Sequence, residues 1–148
     1  MKTFQHEIII NAPAEKVWAV LAAFPFYPEW NPFIRSIIGK VSAGERLKLT
    51  AKLDGFPEII FHATVMRCEP PLTLGWQAIF IKGIFEAYHS FAIEVVNLGQ
   101  CRFLHSETFS GILTSPVLFL LEGRFREGYQ TMNEALKARA EADLNKTA

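Results

Sequence analysis

Apolar positions recur along the chain with two different periods. Phe4 to Ile10 is dense in aromatic and β-branched residues and stops at Asn11-Ala12-Pro13, the pattern of a first strand running into a helix start. Pro13 suits the first helical position because it has no N–H to waste, and Val17, Leu21 and Phe24 then fall at i, i+4 and i+7 as one apolar stripe. Pro25 ends that helix, and with Pro28 and Pro32 it leaves the connector Phe26-Tyr27-Pro28-Glu29-Trp30-Asn31-Pro32 room for no more than a short helical turn. From Phe33 to Phe109 the runs become β-like, cut by turn residues at Ser42-Ala43-Gly44, Asp54-Gly55, Pro70-Pro71, Lys82-Gly83 and Asn97-Leu98-Gly99. They predict strands near 33–40, 45–53, 58–68, 72–81, 84–96 and 101–109, which with the first make a seven-stranded antiparallel meander. Ser115-Pro116 then offers an N-cap and a first-turn proline, and Leu121, Phe125, Met132 and Leu136 recur at helical spacing. The predicted helix, from about Pro116 to Leu144, reaches roughly 43 Å at about 1.5 Å per residue, enough to cross a sheet. Its later charges, Lys137, Arg139, Glu141, Asp143 and Lys146, read as a solvated face. The order is that of an α+β fold in which one long helix covers one face of a curved sheet.

A length of 148 residues fits one domain, spanning 1–148. Half the residues are apolar and 20% are charged, a composition that builds a full core. Fifteen basic and fifteen acidic residues cancel, so charge alone directs the chain neither to nucleic acid nor to an anionic membrane. Two cysteines, Cys68 and Cys101, make neither a metal-binding quartet nor a disulfide scaffold, which fits a reducing, cytoplasmic setting. The polar start, Met1 to Glu7, lacks the apolar stretch of a signal peptide, and no run is long enough for a membrane-spanning helix, so a soluble protein is expected.

Between Pro70 and Leu121 only Lys82, Glu86, Glu94, Arg102 and Glu107 are charged, too few to solvate a two-faced sheet. The surplus apolar side chains face either a tight core covered by a partner chain or a cavity for an apolar ligand. The glycines form no phosphate-cradling motif, and His6, His62, His89 and His105 form no metal-ligand cluster, so no metal or cofactor is expected. Neither aspartate, Asp54 or Asp143, is placed to orient a histidine. Period-two alternation puts Cys101, Phe103, His105, Glu107 and Phe109 on one face, so that an imidazole and a carboxylate look the same way; on a cavity wall they would orient a hydroxyl or act as acid and base. His89 shares a face with Phe91, Ile93 and Val95, and His62 sits among Ile60, Thr64 and Met66, where a hydrogen-bonded core histidine is the plainer reading. Gly123 and Gly128 each cost the long helix about 1 kcal/mol against alanine, which close packing or a local break would explain. The apolar hairpin around Ile81 to Ile84 reads as a contact for a homodimer, another partner, a membrane or a ligand entrance.

Ile10-Asn11-Ala12-Pro13-Ala14-Glu15-Lys16-Val17-Trp18 followed by Tyr27-Pro28-Glu29-Trp30-Asn31-Pro32-Phe33 resembles the SRPBCC superfamily, the START-related group of ring-hydroxylase domains, polyketide cyclases and lipid-transfer proteins. His105 to Gly111 is similar to that group's last strand, and the stretch with Phe125, Asn133, Leu136, Lys137 and Glu141 to its C-terminal helix. The resemblance implies a helix-grip fold, a curved seven-stranded sheet around the long helix with two short helices between the first two strands and an apolar cavity inside. It implies a binding or transport protein for a small hydrophobic ligand such as a lipid, isoprenoid, polyketide or aromatic molecule. The expected ligand contacts are Trp18, Trp30, Phe61, Trp76, Phe91, Phe103, Phe109, Phe125 and Tyr129, with His89, His105 and Glu107 as polar contacts. The alternative is a polyketide cyclase or dehydratase in which Glu107 and His105 or His89 move protons.

Overall fold

In the computed structural model, which describes residues 1–146, the elements run β1 (Lys2–Ile10), α1 (Ala14–Ala22), a 3-10 turn (Phe24–Phe26), α2 (Tyr27–Trp30), β2 (Ile34–Ile38), β3 (Arg46–Ala51), β4 (Ile59–Glu69), β5 (Thr73–Ile81), β6 (Phe85–Asn97), β7 (Gln100–Ser110) and α3 (Thr114–Lys146). The seven strands form one antiparallel sheet in the order β1-β7-β6-β5-β4-β3-β2, a meander with the first strand folded back onto the last. Register shifts at Ile34/Ser36, Val65/Arg67, Ile79/Ile81 and Val95/Asn97 add local twist, which curls the sheet. Over its 33 residues α3 runs along the concave face, against β1, β7 and α1. This is the helix-grip arrangement, with both short helices between β1 and β2.

Alternation sorts the side chains as the pattern predicts on β6 and β7: Ala87, His89, Phe91 and Ile93, and Cys101, Phe103, His105, Glu107 and Phe109, are all buried on the concave face. Val95 is the exception on its face, lying exposed beside the register shift that ends β6. On β4 the faces are the reverse of a core histidine: Ala63 and Val65 point inward, and His62 lies on the exposed side with Ile60 and Met66. Both cysteines are free, Cys101 buried and Cys68 partly so.

The connector is more than a spacer. The Tyr27 hydroxyl donates to the Leu21 carbonyl at 2.6 Å, and the Asn31 Oδ1 accepts from the backbone N–H groups of Phe33 and Ile34 at 2.9 and 2.8 Å. This Asx-type turn satisfies two buried donors and swings the chain from α2 into β2, setting Phe33 and Ile34 facing inward.

Two details of α3 differ from the sequence reading. The helix begins at Thr114, with the Val117 N–H bonded to the Leu113 carbonyl, so Ser115 lies inside the first turn and is not the N-cap. The later charges are not simply solvated. The Lys137 Nζ donates to the Ile9 carbonyl (2.9 Å) and to Glu141 (2.6 Å), and Glu141 accepts the Asn11 N–H (2.8 Å), which ties the end of β1 to the helix. Arg139 reaches Glu29 at 3.1 Å, while Asp143 and Lys146 lie outside the described side chains.

The helix is unbroken through both glycines. A Cβ at Gly128 would stand 2.6 Å from the Phe33 ring, so here glycine permits close packing, whereas a Cβ at Gly123 meets nothing within 4 Å. Gly123→Ala is expected to stabilise the protein by about 1 kcal/mol. Gly128→Ala should destabilise it by about 1–3 kcal/mol, because the buried Phe33 ring must move. Thermal and urea unfolding of the two variants checks both signs.

Candidate ligand cavity and buried polar chain

Between the curled sheet and the first half of α3 lies a cavity of about 220 Å³. Its wall is made by Phe33 and Ile34 at the start of β2, Ala51, Leu53, Ile59 and Phe61 around β3 and β4, Trp76, Phe80, Phe85, His89, Glu107 and Phe109 from β5 to β7, and Val117, Leu121 and Phe125 from α3. Ile59 and Phe80 are exposed and mark the mouth; Phe33, Ile34 and Trp76 are fully enclosed and mark the inner end. Thirteen of these fifteen residues are apolar, and the two ionisable ones, His89 and Glu107, stand side by side.

Their adjacency follows from strand register. His89 pairs directly with Glu107 across β6 and β7, so both side chains emerge together on the concave face, with His105 the diagonal neighbour of His89. The helix meets this pair in step. Tyr129 and Asn133 are four apart and share a helix face, separated by about 6 Å along the axis, while Glu107 and His105 are separated by about 6.6 Å along their strand. The Tyr129 hydroxyl therefore reaches Glu107 Oε1 at 2.6 Å while Asn133 Oδ1 meets His105 Nδ1 at 2.7 Å. Across the sheet His89 Nε2 lies 2.5 Å from His105 Nε2, and His89 Nδ1 lies 3.3 Å from Glu107 Oε2. Five side chains thus form one buried chain: Asn133, His105, His89, Glu107, Tyr129.

Burial decides how this chain ionises. Contact between two Nε2 atoms holds a single proton, so one imidazole donates to the other. His105 is held well below the ordinary histidine range by burial, then by His89 and His6, against the opposing hydrogen bond from Asn133. It is therefore neutral. Tyr129 is pushed far up, by burial and then by the Glu107 charge, so its hydroxyl keeps its proton and serves as a fixed donor. His6, paired with His105 across β1 and β7, is lowered by burial and by Arg126. Its Nε2 is buried without a partner. Among the described residues no group of three or more histidines, cysteines or carboxylates is placed to hold a metal ion.

Of the expected ligand contacts, Phe61, Trp76, His89, Glu107, Phe109 and Phe125 stand in the cavity wall. His105, Tyr129, Phe91 and Phe103 are buried beyond it, the first two as the support of the polar pair and the last two stacked on each other at 5.7 Å. Trp18 and Trp30 pack half-buried against the core away from the cavity, Trp30 on the Tyr27 ring at 4.9 Å. Sequence reasoning missed Phe33, Ile34, Leu53, Val117 and Leu121. It also missed Phe80 and Phe85, although both belong to the apolar hairpin whose residues Ile79 and Ile81 are exposed.

A curled seven-stranded sheet gripping a long C-terminal helix is the helix-grip fold of the START-related SRPBCC superfamily. Residues 1–141 match the family described as polyketide cyclase / dehydrase and lipid transport, and the chain belongs to it. Among solved structures, the Zhui aromatase/cyclase from Streptomyces sp. R1128 aligns with a TM-score of 0.80 at 14% identity, over 97% of this chain and 95% of that one. A START superfamily protein from Mycobacterium smegmatis gives 0.71 at 18% identity, over 95% and 97%. Norcoclaurine synthase from Thalictrum flavum, in complex with dopamine and hydroxybenzaldehyde, gives 0.69 at 16%, over 92% and 84%. No curated protein matches the sequence significantly. No described helix is long and apolar enough to cross a membrane.

Because His105 is neutral in the fold and titrates near 6.5 when unfolded, the unfolded chain binds the extra proton as pH falls. Its contribution to stability is complete above about pH 6.5 and is lost below it, at up to about 1.4 kcal/mol per pH unit. The melting temperature should fall between about pH 7 and pH 5, and fall less steeply in His105→Gln. Parallel slopes for the two proteins would show that His105 does not carry this dependence.

Proposed function

We propose that the protein binds a small, mostly apolar molecule of one or two rings, with a single oxygen function directed at His89 and Glu107. The observation that carries this reading is the contrast within one cavity: an apolar wall with one ionisable pair at its inner end. Size supports it. A cavity of about 150 Å³ suffices for benzene, so about 220 Å³ suits a two-ring body and is small for a diacyl lipid. A ring system with roughly 200 Å² of surface, like a large aromatic side chain, gains about 5 kcal/mol on burial at about 25 cal/mol per Å². A hydrogen bond to the polar pair adds about 2 kcal/mol, and the cost of immobilising the ligand offsets part of the sum. Phe61, Trp76, Phe109 and Phe125 hold the rings in this reading, and the binding requires no metal or cofactor. The hairpin from Ile81 to Ile84, exposed at Ile81, joins the cavity-lining Phe80 and Phe85 and is the surface through which a partner or a second copy would meet the mouth. The unpaired thiols agree with a cytoplasmic setting.

A second reading is favoured by the 3.3 Å approach of His89 Nδ1 to Glu107 Oε2 in the wall itself. An imidazole and a carboxyl that share a proton beside a bound carbonyl compound can take a proton from carbon and return one to oxygen, the chemistry of cyclisation and dehydration. The family name covers both readings, as polyketide cyclase / dehydrase and as lipid transport.

Naphthol, followed by its own fluorescence and by calorimetry, is the probe. Leu121→Trp fills the cavity from the half-buried side of α3 and should weaken naphthol binding at least tenfold, about 1.4 kcal/mol, in protein that still folds. Undiminished binding in that variant would remove the cavity from the proposal. Glu107→Gln separates the two readings: turnover of a bound carbonyl substrate that disappears while binding persists marks an enzyme.

A further inference from the structure

The direction of hydrogen bonding along the buried chain is set at its helix end. Asn133 presents its carbonyl oxygen to His105 Nδ1 at 2.7 Å, so that nitrogen carries the proton. His105 is neutral, so its Nε2 is then a bare acceptor, and the proton in the 2.5 Å contact belongs to His89 Nε2. His89 Nδ1 in turn faces Glu107 Oε2 at 3.3 Å, and a bare nitrogen against a carboxylate would leave two buried acceptors in contact. One proton must lie between them, on Glu107 or on a His89 imidazolium. With the amide of Asn133 reversed, every donor in the chain reverses, and His89 Nδ1–H donates to an ionised Glu107. The two amide orientations therefore correspond to networks that differ by one proton.

We infer that Asn133 is a positioning residue which, through His105, keeps one more proton on the His89–Glu107 couple than the reversed network holds, so that the couple is neutral overall instead of anionic and admits ligands whose polar atom is an acceptor, a carbonyl or phenolate oxygen. The ligand clause rests on the binding function proposed above; the role of Asn133 rests on the hydrogen-bond geometry and on the burial that keeps His105 neutral. The other titratable or charged groups facing the relay are His6 from β1 and Tyr129 and Arg126 from α3. Tyr129 donates to the second Glu107 oxygen, Oε1, and leaves Oε2 to the shared proton. Neither His89 nor Glu107 alone has this property, because without an acceptor behind His105 the imidazole pair is free to reverse.

Long-range nitrogen–proton correlation spectra of the full-length, ¹⁵N-labelled protein near neutral pH read the tautomers directly. The expected result is His105 protonated at Nδ1 and bare at Nε2, with His89 protonated at Nε2. A His105 protonated at Nε2 and bare at Nδ1 overturns the inference in the unmutated protein, whatever any variant does. In Asn133→Leu the His105 tautomer should reverse, and His89 should become bare at Nε2 and protonated at Nδ1. An unchanged tautomer in a folded variant would equally overturn it. Naphthol separates the two levels: if it fails to bind while the tautomers are as expected, the ligand clause falls together with the proposed function and the role of Asn133 stands. If it binds and the tautomers are reversed, the inference alone falls.

Discussion

A carboxyl and two imidazoles under a helix can be buried only if they satisfy one another, and that requirement fixes how α3 sits on the sheet. Glu107 has two polar partners, Tyr129 and His89, and His105 has two, His89 and Asn133. Sliding the helix by one turn would break both helix contacts and strand several buried polar atoms, each costing about 1–3 kcal/mol. Apolar packing alone tolerates such slippage far better, since its contacts are not directional. The polar chain therefore supplies the register, and the surrounding aromatic rings, Phe33 and Tyr129 among them at 5.6 Å, supply the bulk of the burial.

The same register leaves space unfilled at one end. On β6 and β7 the residues toward the β5–β6 hairpin, Phe85, His89, Glu107 and Phe109, face the cavity, whereas Phe91, Ile93, Phe103 and Cys101 toward the other end are closed over. The short helix α1 packs on α3 and β6, and α3 lies directly on β1. Among the described residues nothing equivalent to α1 covers the other half of the concave face, where Val117, Leu121 and Phe125 of α3 close the wall. Phe33, pressed on Gly128 and oriented by the Asn31 turn, forms part of the inner wall. The polar pair thus stands where the packed half of the core gives way to the open half.

Much of this was legible in the chain. Period-two alternation placed His105, Glu107 and Phe109 on one face, and the strand edges agree with the structure to within about two residues, because hydrophobic alternation and Gly or Pro turns are local signals. What alternation does not encode is which half of a buried face meets the helix. Phe91 and Phe103 carry the same signature as Phe109, yet lie beyond the cavity. Nor does it encode a diagonal contact such as His89 with His105, or the coincidence of a four-residue helix step with a two-residue strand step that brings Asn133 and Tyr129 onto the same two strand positions. His62 illustrates the converse: β-branched and apolar neighbours made its face look internal, but the core packs on the opposite face of β4, at Ala63 and Val65. Lys137 and Glu141 read as solvated because the chain end they grip, at Ile9 and Asn11, is 128 and 130 residues away in sequence.

The claim on which the rest turns is that the polar pair is the floor of a ligand site. A crystal structure of the protein grown with naphthol tests it most directly. The expected density places the rings among Phe61, Phe109 and Phe125, with the naphthol oxygen within hydrogen-bonding distance of Glu107 or His89. Naphthol found only on the outer surface, or a cavity left empty at saturating concentration, would contradict it.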